Sequence, residues 1–212
     1  MVKELKAREC GIKIKLTPTG TQYLGCEMDI QGDHLRFSPA STMGDQFGAV
    51  ISALYNLFYE HDDGHSEWNN REYLSDEENA IHTAVTKVEW DNEGDVIGIV
   101  MSRKLMRDID CEKDLIEIGF KHYDKLLRSY TVKTVDLCYA VAKACTEVLK
   151  EYGFYGYRYS TEHDYFKMHQ FLYLKSVALM NFEAREPINT CEYGLVKCTS
   201  FEKELELLMF DM

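Results

Sequence analysis

The spacing of apolar and polar positions changes several times along this chain, and each change marks an element. From Cys10 to Leu16 (CGIKIKL) apolar residues alternate with lysines, the period-two pattern of a half-buried strand. Thr17-Pro18-Thr19-Gly20 reads as a turn. Gln22 to Asp29 and His34 to Phe37 read as two further short strands, with the bend at Gly32-Asp33. The period then lengthens. Thr42 suits a helix N-cap with Asp45 favourable in the first turn, and Phe47, Val50, Ile51, Leu54 and Phe58 follow at three- and four-residue spacing. Ala53 and Leu57 widen that stripe, which predicts a helix packed deep in the core.

Glu60 to Asn79 is polar and acidic and reads as a loop, with one short element around Trp68 to Leu74. Ala84 to Trp90 and Val96 to Met101 are β-prone runs joined by Asp91-Asn92-Glu93-Gly94-Asp95, a hairpin signal. Ile116, Ile118 and Phe120 alternate within Leu115 to Tyr123, which predicts a third strand of that sheet, with helix as the alternative. Thr131 to Tyr152 is the clearest helix: Val135, Cys138, Ala142, Cys145, Leu149 and Tyr152 form one stripe, and Gly153 stands where a glycine ends such a helix. Tyr165 to Phe182 reads as a second helix, Cys191 to Cys198 as an edge strand and Phe201 to Met209 as a terminal helix. Runs of strands joined by short turns, with helices gathered on them, predict an α+β fold: a mainly antiparallel sheet carrying three to four helices. With 3 prolines and no Gly/Ser-rich linker, residues 1–212 read as a single domain.

Charge narrows the function classes. Lys plus Arg number 24 and Asp plus Glu 36, a net charge of −12, which excludes a free-standing nucleic-acid binder that must neutralise phosphates. No run approaches the roughly 18 apolar residues of a membrane span. A hydrophobic content of 45% argues for a folded core and against disorder. The N-terminal Met1 to Glu9 mixes charges and lacks the apolar stretch of a secretory signal. The 7 cysteines (Cys10, Cys26, Cys111, Cys138, Cys145, Cys191 and Cys198) are odd in number and show no C-x-x-C pair. They read as reduced, mostly buried thiols of a cytoplasmic protein.

Catalytic signatures are missing. The sequence holds no G-x-S-x-G elbow, no P-loop and no dinucleotide fingerprint, and no cofactor is expected. Asp62-Asp63-Gly64 and the Asp91 to Asp95 stretch resemble calcium loops in composition but not in spacing. His61 and His65 would share a metal if helical, and a metal-dependent hydrolase built on them and nearby carboxylates is one alternative reading. Against it stand Gly64 within the segment and the lack of an evident third ligand.

Two features stand out from an ordinary globular pattern. Between Glu60 and Asp95 twelve acids face two bases, so this window carries −10 of the total charge. Such a concentration speeds encounter with a basic partner, or it is simply a solvated loop and hairpin tip. The second feature is aromatic. Tyr152, Phe154, Tyr155, Tyr157 and Tyr159 precede Tyr165 and Phe166, with Arg158 among them. Tyrosine and arginine anchor binding surfaces, although rings also fill space between helices and sheets.

From Phe37 to Met180 the order is a strand ending in Phe37-Ser38-Pro39, the helix TMGDQFGAVISALYNLF, the hairpin TKVEWDNEGDVIGIVMS, then a long helix closing on EYGFYGY and another helix. This layout resembles the small acidic α+β proteins encoded beside bacterial polymorphic toxins, many of them toxin-immunity proteins. The resemblance implies a stoichiometric inhibitor without catalytic residues, holding a basic toxin through acidic side chains. The leading expectation is therefore a non-catalytic interaction module with a basic protein partner and neither a nucleic acid nor a membrane. Asp62, Asp63, Glu67, Asp76, Glu77 and Glu78 are the expected steering charges, and Tyr155, Tyr157, Arg158 and Tyr159 the expected anchors. A third reading is a structural subunit of a homo-oligomer, such as a homodimer, in which the apolar tail Leu205, Leu207, Leu208, Met209 and Phe210 covers a neighbouring chain or its own sheet.

Overall fold

A computed structural model of the chain describes residues 11–18, 24–37, 45–58, 71–76, 81–92, 95–104, 114–161, 165–180, 189–190, 197–198 and 201–212. The expected α+β architecture is observed. The first sheet holds β1 (Ile12–Pro18), β2 (Leu24–Ile30) and β3 (Asp33–Phe37) in that order, all antiparallel. In β1, Ile12, Ile14 and Leu16 are buried while Lys13 and Lys15 face solvent, as the alternation predicts. The turn to β3 centres on Gln31 (φ 52°) and Gly32 (φ 92°), one residue earlier than expected. Two successive positive φ values match the twist of the flanking strands, and glycine tolerates one of them at no steric cost.

The second sheet is a five-stranded antiparallel meander in the order β4 (Arg71–Asp76), β5 (Ile81–Asn92), β6 (Asp95–Lys104), β7 (Leu115–His122) and β8 (Lys125–Lys133). The expected hairpin is β5–β6, and Leu115 to His122 is strand rather than helix. The short element expected around Trp68 to Leu74 is strand β4. Strand β8 has no counterpart in the sequence reading. Only Tyr130 and Val132 of its nine residues are buried, so it offers too little alternation to be seen.

Helix α1 (Gln46–Asn56) is capped by Asp45, whose Oδ1 accepts from Gly48 N at 2.6 Å, and not by Thr42, which lies outside the described residues. Helix α2 spans Thr134–Ser160 and is broken at Gly153 (φ 66°, ψ 178°). The glycine interrupts the helix as expected, but a second helical segment follows it. Strand β8 runs on to Lys133, so α2 starts three residues later than predicted. Helix α3 covers Met168–Ala178, shorter at both ends than expected, and α4 covers Phe201–Met209 as predicted. The strand expected at Cys191 to Cys198 is reduced to a two-residue pairing of β9 (Asn189–Thr190) with β10 (Lys197–Cys198).

One contiguous apolar cluster joins both sheets to α1, α2 and α3. Phe37 packs on Trp90 and Phe120 with ring centroids 5.3 and 5.7 Å apart, which ties the first sheet to the second. Arg103 and Asp114 form a buried ion pair at one end of β6: Nε donates to Asp114 Oδ2 at 2.8 Å, and Nη1 donates to Leu57 O beyond α1 at 3.2 Å. Buried Lys175 of α3 donates to Leu208 O and Phe210 O at 3.2 and 2.7 Å, clasping the end of α4. Burial lowers that amine to about 8, with the Lys150 charge acting in the same direction. Cys26, Cys138 and Cys145 are buried free thiols, and burial raises Cys26 and Cys145 above the ordinary range.

Candidate interaction surface

The break at Gly153 decides which aromatic side chains reach solvent. Continued helix from Tyr152 would carry the buried stripe of α2 on towards residues 155, 156 and 159. The positive φ at Gly153 resets the phase of the second segment, and Tyr157 becomes its inward residue. Tyr157 is 0% exposed, its hydroxyl donates to Asp45 Oδ1 at 2.7 Å, and its ring meets Phe166 edge-on at 5.0 Å. Asp45 thus serves two elements at once, capping α1 and anchoring the end of α2. Phe166 continues the chain of rings to Phe171 at 5.2 Å and Phe154 at 5.8 Å.

With Tyr157 turned in, its neighbours turn out. Tyr155 is 81% and Tyr165 73% exposed, and Tyr152 and Phe154 are each more than a third exposed. Arg158 places its guanidinium carbon 4.7 Å from the Tyr165 ring centroid, a cation–π contact worth about 0.5–1 kcal/mol at an exposed site. The Tyr152 phenol is raised from its ordinary value, chiefly by a hydrogen bond with Glu151. Large rings at low conformational cost beside a guanidinium supply contact area and polar handles together.

The expected site residues divide accordingly. Tyr155 and Arg158 are surface groups. Tyr157 is a correction: it is a core residue committed to Asp45, because the glycine break rotates it inward. Tyr159 lies in α2 without a described side chain. Asp76 ends β4 opposite Ile81, and its side chain is likewise not described. Asp62, Asp63, Glu67, Glu77 and Glu78 lie outside the described residues, as do His61 and His65. Sequence reasoning did not single out Tyr165 and Phe154 as anchors. Their signal was present in the aromatic run, but their outward placement depends on the phase reset at Gly153.

Among the described residues no group of three or more His, Cys, Asp or Glu is placed to hold a metal ion. The histidine–carboxylate pairs there, His34 with Asp29 at 2.7 Å and His122 with Asp95 at 2.6 Å, are exposed contacts between strands. No helix of the described residues is long and apolar enough to cross a membrane. No protein-family model, curated protein or solved structure matches this chain.

Proposed function

We propose that this chain is a non-catalytic interaction module of the immunity type, which binds a basic protein through the aromatic face around Tyr155, Arg158 and Tyr165. The observation that carries this reading is the exposure of Tyr155 and Tyr165 beside a guanidinium stacked on one of them. Rings gathered on one face, rather than scattered singly, mark interaction surfaces, and tyrosine and arginine dominate the energetics of protein interfaces. The twelve acids between Glu60 and Asp95 supply the second half of the mechanism. Long-range attraction raises the rate of encounter with a cationic surface, and the rings then slow its departure.

The test is affinity capture from a lysate of the source organism at low salt, using the wild-type chain and Tyr155→Ala/Tyr165→Ala. The reading expects a basic protein retained by wild type in one-to-one amount and largely lost by the variant. Truncation of one such anchor costs about 2 kcal/mol, roughly 30-fold in affinity. Retention of the same protein by both forms, or of none by wild type, counts against it.

A second reading, the homodimer, keeps one specific observation. Phe201, Leu205 and Met209 fall at i, i+4 and i+8 of α4 and all are exposed, while Leu207 is buried against the body of the protein. Native mass measurement of wild type and Leu205→Glu/Met209→Glu separates the readings. A wild-type dimer converted to monomer supports the subunit reading, and a monomer in both forms removes it.

A further inference from the structure

The two sheets touch near the β2–β3 turn. Gln31 Nε2 donates to Thr131 O at 2.8 Å, and the Tyr130 hydroxyl donates to Asp33 Oδ2 at 2.7 Å, which fixes that turn against β8. Further along, β3 and the strands β6 to β8 border a concavity of about 370 Å³. Its walls are mainly apolar: Leu35 and Phe37 come from β3, Ile97 from β6 and Phe120 from β7. For scale, a dry cavity of roughly 150 Å³ holds one benzene ring, and ligand pockets run from roughly 300 Å³ upward.

The remaining wall is made by an irregularity in β8. Phe120 pairs with Arg128 and Lys121 with Leu126, so Leu127 is an extra residue in the ladder, a β-bulge. Bulges re-aim side chains, and here both Leu127 and Arg128 line the concavity. Residues directly opposed on paired strands share a face, so Arg128 stands on the same side of the sheet as buried Phe120. Arg36 of β3 borders the concavity too, but it is paired with Glu27 and alternates with Leu35 and Phe37, so its side chain projects from the opposite face of the first sheet. The Arg128 side chain is 63% exposed; its Nη1 donates to Leu127 O at 3.0 Å, and its Nε lies 3.7 Å from Asp33 Oδ2. The Asp33 separation exceeds hydrogen-bond length, and an exposed pair of this kind contributes little. An apolar hollow bordered by the Arg128 guanidinium therefore has one charge-complementary guest, an apolar body ending in an anion.

We infer that this concavity is a binding site for an amphipathic carboxylate. Its apolar part, about ten carbons or two rings, lies against Leu35, Phe37, Ile97, Phe120 and Leu127, and its carboxylate is held by Arg128. The site is separate from the aromatic face and stands or falls independently of it.

The probes are decanoate, decanol and decylammonium, titrated below their aggregation concentrations by calorimetry against the full chain. Wild type binds decanoate one-to-one and at least tenfold more tightly than decanol, with decylammonium weakest, since a hydrogen bond to a charged group adds about that factor. Arg128→Gln loses at least tenfold for decanoate and less than about threefold for decanol. Ile97→Trp, which fills the hollow, abolishes binding of both, and thermal melting of each variant confirms that it folds. Absence of saturable decanoate binding overturns the inference. So does equal affinity for decanoate and decanol, or unchanged decanoate affinity in folded Arg128→Gln.

Discussion

Replacing Gly48 by alanine sets two opposing effects against each other. Alanine is favoured over glycine in a helix by about 1 kcal/mol, and Gly48 sits in the first turn of α1. A β-carbon at this position, however, would lie 1.9 Å from Asp45 Oδ2 and 2.4 Å from its Cγ. No carboxylate tolerates that approach, so the Asp45 side chain must leave. Two interactions go with it: the cap to Gly48 N and the hydrogen bond from the Tyr157 hydroxyl. The cap is worth about 1 kcal/mol, and a hydrogen bond to a charged group about 2 kcal/mol. Gly48→Ala should therefore destabilise the protein by about 2 kcal/mol net, on those magnitudes. Urea unfolding followed by circular dichroism measures it. The decisive comparison is the same substitution in an Asp45→Ala background. There the clash is gone, and Gly48→Ala should stabilise by up to about 1 kcal/mol. A single variant as stable as wild type, or an equal loss in both backgrounds, refutes the reasoning.

Arg103→Met leaves Asp114 buried without its cation and should cost about 3–5 kcal/mol in urea unfolding, most of it recovered when Asp114→Leu is added. Gly153→Ala meets no atom within 4 Å, so its cost is backbone strain alone at φ 66° and ψ 178°. It should lower stability by about 1–3 kcal/mol, read from the same unfolding curves. Lys175 titrates at about 8 in the folded protein against an ordinary 10.5, so between those values the unfolded chain binds more protons. Wild-type stability relative to Lys175→Met should accordingly rise as pH is raised from about 8 towards 10.5, and unfolding of both proteins at the two ends of that range checks it.

Much of the fold is visible in local periodicity, and the parts that are not have identifiable causes. Strand β1 and the β5–β6 hairpin alternate because one face is buried, and α1 and the first part of α2 show their core stripe directly. Strand β8 escapes because its bulge at Leu127 and its five exposed leading residues erase the alternation. The cap of α1 is ambiguous in sequence because Thr42 and Asp45 are both cap-forming types. The choice falls to Asp45, which is also held by Tyr157, 112 positions away. The same long-range bond separates Tyr157 from Tyr155. The aromatic run marks the region, but which ring faces inward follows from the glycine break and from the partner at the cap of α1. The hollow between the sheets has no sequence signal, since its walls come from four strands brought together only by folding.

The central claim is that acidic residues govern the encounter with a basic partner and the exposed rings govern the lifetime of the complex. Stopped-flow association and dissociation of the captured partner test it directly, with two variants measured across a salt series. One neutralises four acids (Asp62→Asn, Asp63→Asn, Glu77→Gln, Glu78→Gln); the other is Tyr155→Ala/Tyr165→Ala. The account predicts that the first slows association and flattens its salt dependence while dissociation stays near wild type, and that the second speeds dissociation at least tenfold while association changes little. Association at the wild-type rate in the neutralised variant, together with unchanged dissociation in the tyrosine variant, would contradict it.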